Sequence, residues 1–155
     1  MKIILDNNEM RAAKQIFDAN QAAYSDRHKY GANDRDMKAI GMDGFAAELA
    51  VARFLGIDLK DHTPSIQGSD NPDVGVYDVR QTRYSRGRLL LHKPDKDDRV
   101  TIFVTGTGRT FFIRGWLRNR DGKQERFWQV INRKANPCYA IPQSELQPMY
   151  SLPAA

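Results

Sequence analysis

The spacing of apolar residues changes character at Val76, and this change constrains the fold more than any other feature of the chain. Before it, Met10, Ala13, Ile16, Phe17, Ala23 and Tyr24 recur at intervals of three, four or seven with one break. That spacing predicts an amphipathic helix from Asn8 to about Tyr30. A polar loop, GANDRDMKAIGM, is expected next. From Asp43 to Leu55 the run DGFAAELAVARFL is rich in helix formers, with Asp43 placed to cap a second helix and Gly56 placed to end it. This helix is apolar almost all round, and Glu48 is the one acidic residue in its interior. The stretch 58–75 carries Pro64, Gly68, Asn71, Pro72 and Gly75, so a loop with at most one short strand is expected.

Beyond Val76 the period is two. Val76 to Tyr84 and Arg88 to His92 read as strands joined by a tight turn at Ser85, Arg86 and Gly87. Arg99 to Thr105 and Thr110 to Trp116 read as a second such pair, linked by GTGR. The tail predicts a short helix around Phe127 to Ile131, a strand at Cys138 to Ile141 and a closing turn at PQSEL. Helices followed by a mostly antiparallel meander predict an α/β (α+β) fold: a central mixed β-sheet flanked by helices, with the Asp43–Leu55 helix packed on it.

A chain of 155 residues is expected to form one domain over 1–155, with a core large enough to stand without disulfides. Cys138 is the only cysteine, no apolar run reaches bilayer length, and Asp6 interrupts the apolar start of MKIILDNNEM. These features predict a cytoplasmic chain with no membrane partner. His28, His62 and His92 show no ligand spacing, GTGRT lacks the length and lysine of a phosphate loop, and no serine lies in a G-x-S-x-G elbow.

Charge is divided unevenly. Residues 1–75 hold 9 Lys/Arg against 12 Asp/Glu, and residues 76–155 hold 15 against 7, so a net charge of +5 is the sum of 9 − 12 = −3 and 15 − 7 = +8. A basic half favours a polyanionic partner. Its densest part, RQTRYSRGRLLLHK, places Arg80, Arg83, Arg86, Arg88, His92 and Lys93 together with no acid between Asp78 and Asp95. Arginine-rich spacing of this kind predicts phosphate contact by Arg83, Arg86, Arg88 and Lys93, against the alternative of a solvated hairpin face. A second basic set, including Arg114, Arg118, Arg120, Lys123 and Arg126, surrounds Trp116 and Trp128. Arg114 and Arg118 are assigned to the same binding function. The tryptophans are assigned to packing, since alternation would put Phe112, Arg114 and Trp116 on one face.

Carboxylates gather in NPDVGVYDVRQTR. Asp78 and Arg80 are two apart, so on a strand they share a face, and Asp73 stands at the strand's mouth. Paired carboxylates suit Mg²⁺ or Mn²⁺. Taken alone, Asp73 also fits a turn residue that caps its own backbone, and Glu48 a solvated helix residue.

Pro72-Asp73 followed by Asp78-Val79-Arg80 resembles the split motif of the PD-(D/E)XK nuclease superfamily, and GFAAELAVARFLGI is similar to that family's early helix, with Glu48 at its glutamate position. The resemblance spans residues 40–116. It implies a restriction-endonuclease-like fold and a metal-dependent endonuclease hydrolysing duplex or branched DNA, often as a homodimer. It further implies Glu48, Asp73 and Asp78 as metal ligands with the Val79 carbonyl, and Arg80 as a fourth catalytic position. Arg80 replaces the family's usual lysine. An arginine cannot act as a base, because its pKa stays above about 12. This departure keeps open an alternative in which a nuclease-like fold without catalysis binds nucleic acid or a protein as an accessory or inhibitory module.

Overall fold

A computed structural model of the chain describes residues 1–24, 34–58, 70–133 and 135–154. The chain opens with a strand absent from the sequence reading: β1 (Lys2–Ile4) pairs antiparallel with a later strand, Lys2 opposite Phe112. Helix α1 (Asn7–Tyr24) follows directly. Its start is fixed by a reciprocal cap, in which Asp6 Oδ1 accepts from the N–H groups of Asn8 and Glu9 while Glu9 Oε2 accepts from the Asp6 N–H. Capping of this kind stabilises a helix start by about 1 kcal/mol. The expected extension to Tyr30 falls on residues 25–30, outside the described residues.

Helix α2 runs Asp34–Leu55, so it starts at Asp34 rather than Asp43, and the part of the expected polar loop from residue 34 to 42 is helical. The reason is tertiary. Gly41 is buried where α1 crosses, and a Cβ there would lie 2.7 Å from the Phe17 ring, so the glycine permits close packing rather than breaking the helix. Phe17 and Phe45 meet edge to face at 6.3 Å. Asp43 is therefore an interior helix residue and not a cap. Gly56 ends the helix as expected, at φ +69°, with the Ile57 N–H bonded to the Ala52 carbonyl.

The remaining strands are β2 (Tyr77–Thr82), β3 (Leu89–Leu91), β4 (Val100–Thr107), β5 (Thr110–Arg118), β6 (Trp128–Gln129) and β7 (Cys138–Ile141), with a short helix α3 (Asn119–Gly122) after β5. Among the described residues they form a mixed sheet, β1-β5-β4-β2, and an antiparallel sheet, β3-β7-β6. The β4–β5 hairpin over GTGR, the β7 strand and the closing turn at Gln143–Glu145 match the sequence reading. The β2–β3 hairpin does not form. β2 pairs parallel with β4, Asp78 opposite Thr101, and β3 pairs with β7 in the other sheet, Leu89 opposite Ile141.

Two cores explain this routing. Tyr77, Val100, Ile102, Val104, Phe111 and Ile113 project from one face of the mixed sheet onto Ala46, Ala47, Ala50 and Val51 of α2. Phe103 and Leu117 project from the other face onto Leu89, Leu91, Phe127 and Ile141. β3 is thus drawn across the sheet by its own leucines. Each fully buried aliphatic or aromatic side chain contributes roughly 1.5–3 kcal/mol relative to exposure. The expected helix around Phe127–Ile131 is replaced by a helical turn ending at Phe127 and the strand Trp128–Gln129, because Phe127 enters the second core and Trp128 pairs with Tyr139.

β5 carries a bulge. Phe103 faces Gly115 but Val104 faces Ile113, which leaves Arg114 as the extra residue. The faces exchange there: Phe111 and Ile113 join the first core, and beyond the bulge Trp116 packs on that core while Leu117 joins the second. Phe112, Arg114 and Trp116 therefore do not share one face. No helix among the described residues is long and apolar enough to cross a membrane.

Candidate nucleic-acid interface and carboxylate cluster

β2 is the edge strand of the mixed sheet, and its sequence decides which groups meet there. Tyr77 and Val79 face the α2 core, so Asp78 and Arg80 project from the opposite face. The parallel register sets Thr101 beside Asp78, and Arg99, two residues earlier, reaches the same face. Arg99 donates to Asp78 Oδ1 at 3.0 Å and to the Asp70 carbonyl. Arg80 donates to Asp95 Oδ1 at 2.9 Å, and the other Asp95 oxygen accepts from the His92 N–H at 2.7 Å. The motif thus forms a chain of alternating charge: Arg99, Asp78, Arg80, Asp95.

Asp73 lies close by. Its Oδ2 accepts from the Val79 N–H at 2.7 Å, so it satisfies a donor on the open edge of β2, as the turn reading expects. The loop behind it is tight, with the Asp73 and Val74 N–H groups both bonded to the Tyr77 carbonyl. Burial pushes the Asp78 carboxyl above the ordinary carboxylate range; Arg99 pulls it down, Asp73 pushes it up, and Arg80 and Asp95 act in turn as weaker opposing charges.

Glu48 is half-buried on α2, the helix that packs on the face of the sheet carrying Tyr77 and Val79. Among the described residues no three His, Cys, Asp or Glu side chains are grouped to hold a metal ion. Of the carboxylates that the resemblance implies for Mg²⁺ or Mn²⁺, Asp73 accepts from the Val79 N–H and Asp78 carries the Arg99 guanidinium. Val79 supplies its N–H to Asp73.

Sequence reasoning gave Arg99, Asp95 and Lys123 no part in this cluster. Lys123, largely buried, donates to the Lys93 carbonyl at 3.0 Å, to the Asp95 carbonyl and to Asp97 Oδ1 at 2.7 Å, and so pins the loop that carries Asp95 and Arg99. The alternating charges of KPDKDDR were the available signal, but only the parallel β2–β4 register brings them to Asp78.

The basic residues divide by use. Ion pairs join Arg80 to Asp95, Arg99 to Asp78, Lys123 to Asp97 and Arg126 to Glu145. Arg114 sits half-buried at the bulge, donating from Nε to Thr105 Oγ1 at 2.7 Å and lying over the Phe112 ring. Arg118 donates to the Asp98 carbonyl. Both thus make contacts within the fold. Arg83, Arg86, Arg88 and Lys93 are exposed instead. Arg83 lies 4.0 Å from the buried carboxylate of Asp43, which also accepts from Thr107 Oγ1 and the Gly108 N–H, and Lys93 stands over the Trp128 ring. Among the described residues no ion pair reaches Arg86 or Arg88. No family model matches the chain, and neither a curated protein nor a solved structure matches it.

Proposed function

We propose that the protein is a nucleic-acid-binding module that contacts phosphates through the segment 83–93. One observation carries this reading: the neighbouring acidic residues are consumed on Arg80, Arg99, Lys123 and Arg126, while Arg86, Arg88 and Lys93 face solvent along a single acid-free stretch, joined by Arg83, which is exposed although it also pairs with Asp43 at 4.0 Å. Exposed arginines held near one another by a short turn offer bidentate donors to a phosphate backbone. Charge reversal at Arg83, Arg86 and Arg88 together is expected to weaken DNA binding. The slope of log K against log[salt] should flatten by about 0.9 per lost contact on duplex. Unchanged affinity and slope in the triple variant would show the stretch to be a solvated surface.

A second reading is phosphodiester hydrolysis with Mg²⁺ or Mn²⁺, the activity implied by the resemblance to PD-(D/E)XK nucleases. It is favoured by the proximity of Asp73 to Asp78, close enough for one carboxylate to raise the pKa of the other. Mn²⁺-stimulated cleavage of duplex or branched DNA by the parent chain, lost in Asp73→Asn and Asp78→Asn, would establish it. Absence of cleavage together with absence of carboxylate-dependent Mn²⁺ binding would remove it and leave the binding module.

A further inference from the structure

Between β2 and β3 the chain reads Arg83-Tyr84-Ser85-Arg86-Gly87-Arg88, a turn flanked by arginines whose one aromatic residue, Tyr84, is 70% exposed. One exposed aromatic residue is ordinary on a protein surface; what sets Tyr84 apart is its place in an ordered turn between arginines, where its ring can meet a partner from solvent. The turn is ordered by several bonds. The Gly87 N–H donates to the Tyr84 carbonyl at 2.9 Å, and the side-chain amide of Gln143, from the C-terminal region, donates to the carbonyls of Ser85 at 2.8 Å and Gly87 at 2.9 Å. Gly87 leaves no room for a side chain, since a Cβ there would lie 2.5 Å from Thr82 Cγ2. The backbone on both sides of Arg86 is therefore clamped from a part of the chain more than fifty residues away.

We infer that this turn is a stacking site for an unpaired nucleic-acid base, with Tyr84 as the platform and Arg86 and Arg88 taking the flanking phosphates, together with Arg83, which is exposed but also pairs with Asp43 at 4.0 Å. The inference rests on the binding role of segment 83–93 and adds the class of ligand: single-stranded or locally unpaired nucleic acid in preference to continuous duplex. The chemistry follows from the residue types. A phenol ring stacks on any base whose faces are free, and the bases of an intact duplex are already stacked on one another. Arginines on either side supply the sequence-independent attraction to phosphate. A clamped turn fixes the backbone from which the ring and the arginines project before the strand arrives, so less backbone freedom is lost on binding.

The test uses the full chain, a labelled thymidine oligonucleotide and the duplex of that oligonucleotide with its adenine complement, with binding read by fluorescence anisotropy. Tyr84→Ala should weaken binding to the single strand roughly 5- to 150-fold, the range for loss of one stacked base, and leave duplex binding nearly unchanged. Tyr84→Phe, which keeps the ring and removes the hydroxyl, should bind like the parent. Equal affinity of parent and Tyr84→Ala for the single strand, or an equal loss on both ligands, overturns the stacking role while leaving phosphate binding by the arginines intact. Loss in Tyr84→Phe as large as in Tyr84→Ala also overturns it, because a hydroxyl contact would then be responsible. Failure of the parent chain to bind either ligand overturns the nucleic-acid reading as a whole. Matching far-UV circular dichroism spectra of the three proteins assign any change to the surface and not to folding.

Discussion

Replacing Asp78 by asparagine separates burial from pairing in the charge cluster on β2. Burial is the largest influence on Asp78 and raises its pKa in the folded protein above the unfolded value. A carboxyl with a raised folded pKa favours the folded state while protonated, so its contribution is fully present at acid pH, below the unfolded pKa. It is lost as pH rises through the folded pKa. The replacement amide does not titrate. Denaturation in urea at neutral and at mildly acidic pH should therefore show the parent gaining stability relative to the Asp78→Asn variant as pH falls, whatever the rest of the chain does. A stability difference between the two proteins that does not vary with pH would contradict the raised pKa.

Arg99 answers the complementary question. Its side chain and that of Asp78 are 17% and 23% exposed, and it bonds both Asp78 and the Asp70 carbonyl. Arg99→Met removes the cation but keeps most of the aliphatic bulk, leaving Asp78 without its nearest partner. The expected cost is about 1–3 kcal/mol of stability, read by chemical denaturation. Of this cluster, the shared face of Asp78 and Arg80 was legible in strand spacing, while spacing left Asp73 open between a turn residue and a metal ligand. The partners Arg99 and Asp95 were not, because they depend on which strand lies beside β2, and that is settled by the leucines of β3 and not by the motif.

Elements defined by local physics were read well, and those defined by their neighbours were not. The GTGR hairpin, the stop at Gly56 and the strand Cys138–Ile141 each follow from a few adjacent residues. The early start of α2 depends on α1 packing against Gly41, and β1, only three residues long, exists by pairing with β5. The bulge at Arg114 defeats any rule of strict alternation. Gly115 makes the bulge workable: its φ is +151°, and a Cβ there would lie 2.6 Å from the carbonyl oxygen of Gln147, whose backbone pairs with Trp116. Gly115→Ala should accordingly cost on the order of 1–3 kcal/mol through backbone strain and loss of that pairing. Gly108→Ala, at φ +67° but with open space around its Cβ position, serves as the comparison. A larger loss at Gly108 than at Gly115 would show that the bulge does not need the glycine.

For the molecule as a whole, the sandwiching of β4 between two cores sets the expectation for folding. Ile102 and Phe103 are adjacent on that strand, yet Ile102 belongs to the core under α2 and Phe103 to the core under the second sheet. Neither core can dissolve without exposing one face of the same hydrogen-bonded strand, so the two should unfold in one cooperative transition. The tryptophans report on the two sides separately. Trp116 packs on the first core and donates from Nε1 to the Pro148 carbonyl, and Trp128 lies against Tyr139, which packs on the second. In the Trp116→Phe and Trp128→Phe variants the remaining fluorophore follows one side alone. Phe103→Ala, which opens a cavity only in the second core, is expected to cost about 3–5 kcal/mol. In a cooperative molecule that loss shifts the urea midpoint seen by Trp116 as much as the one seen by Trp128. Two separated midpoints, with only the Trp128 signal moved by Phe103→Ala, would instead mean that the sheets fold as independent units and that the shared strand does not couple them.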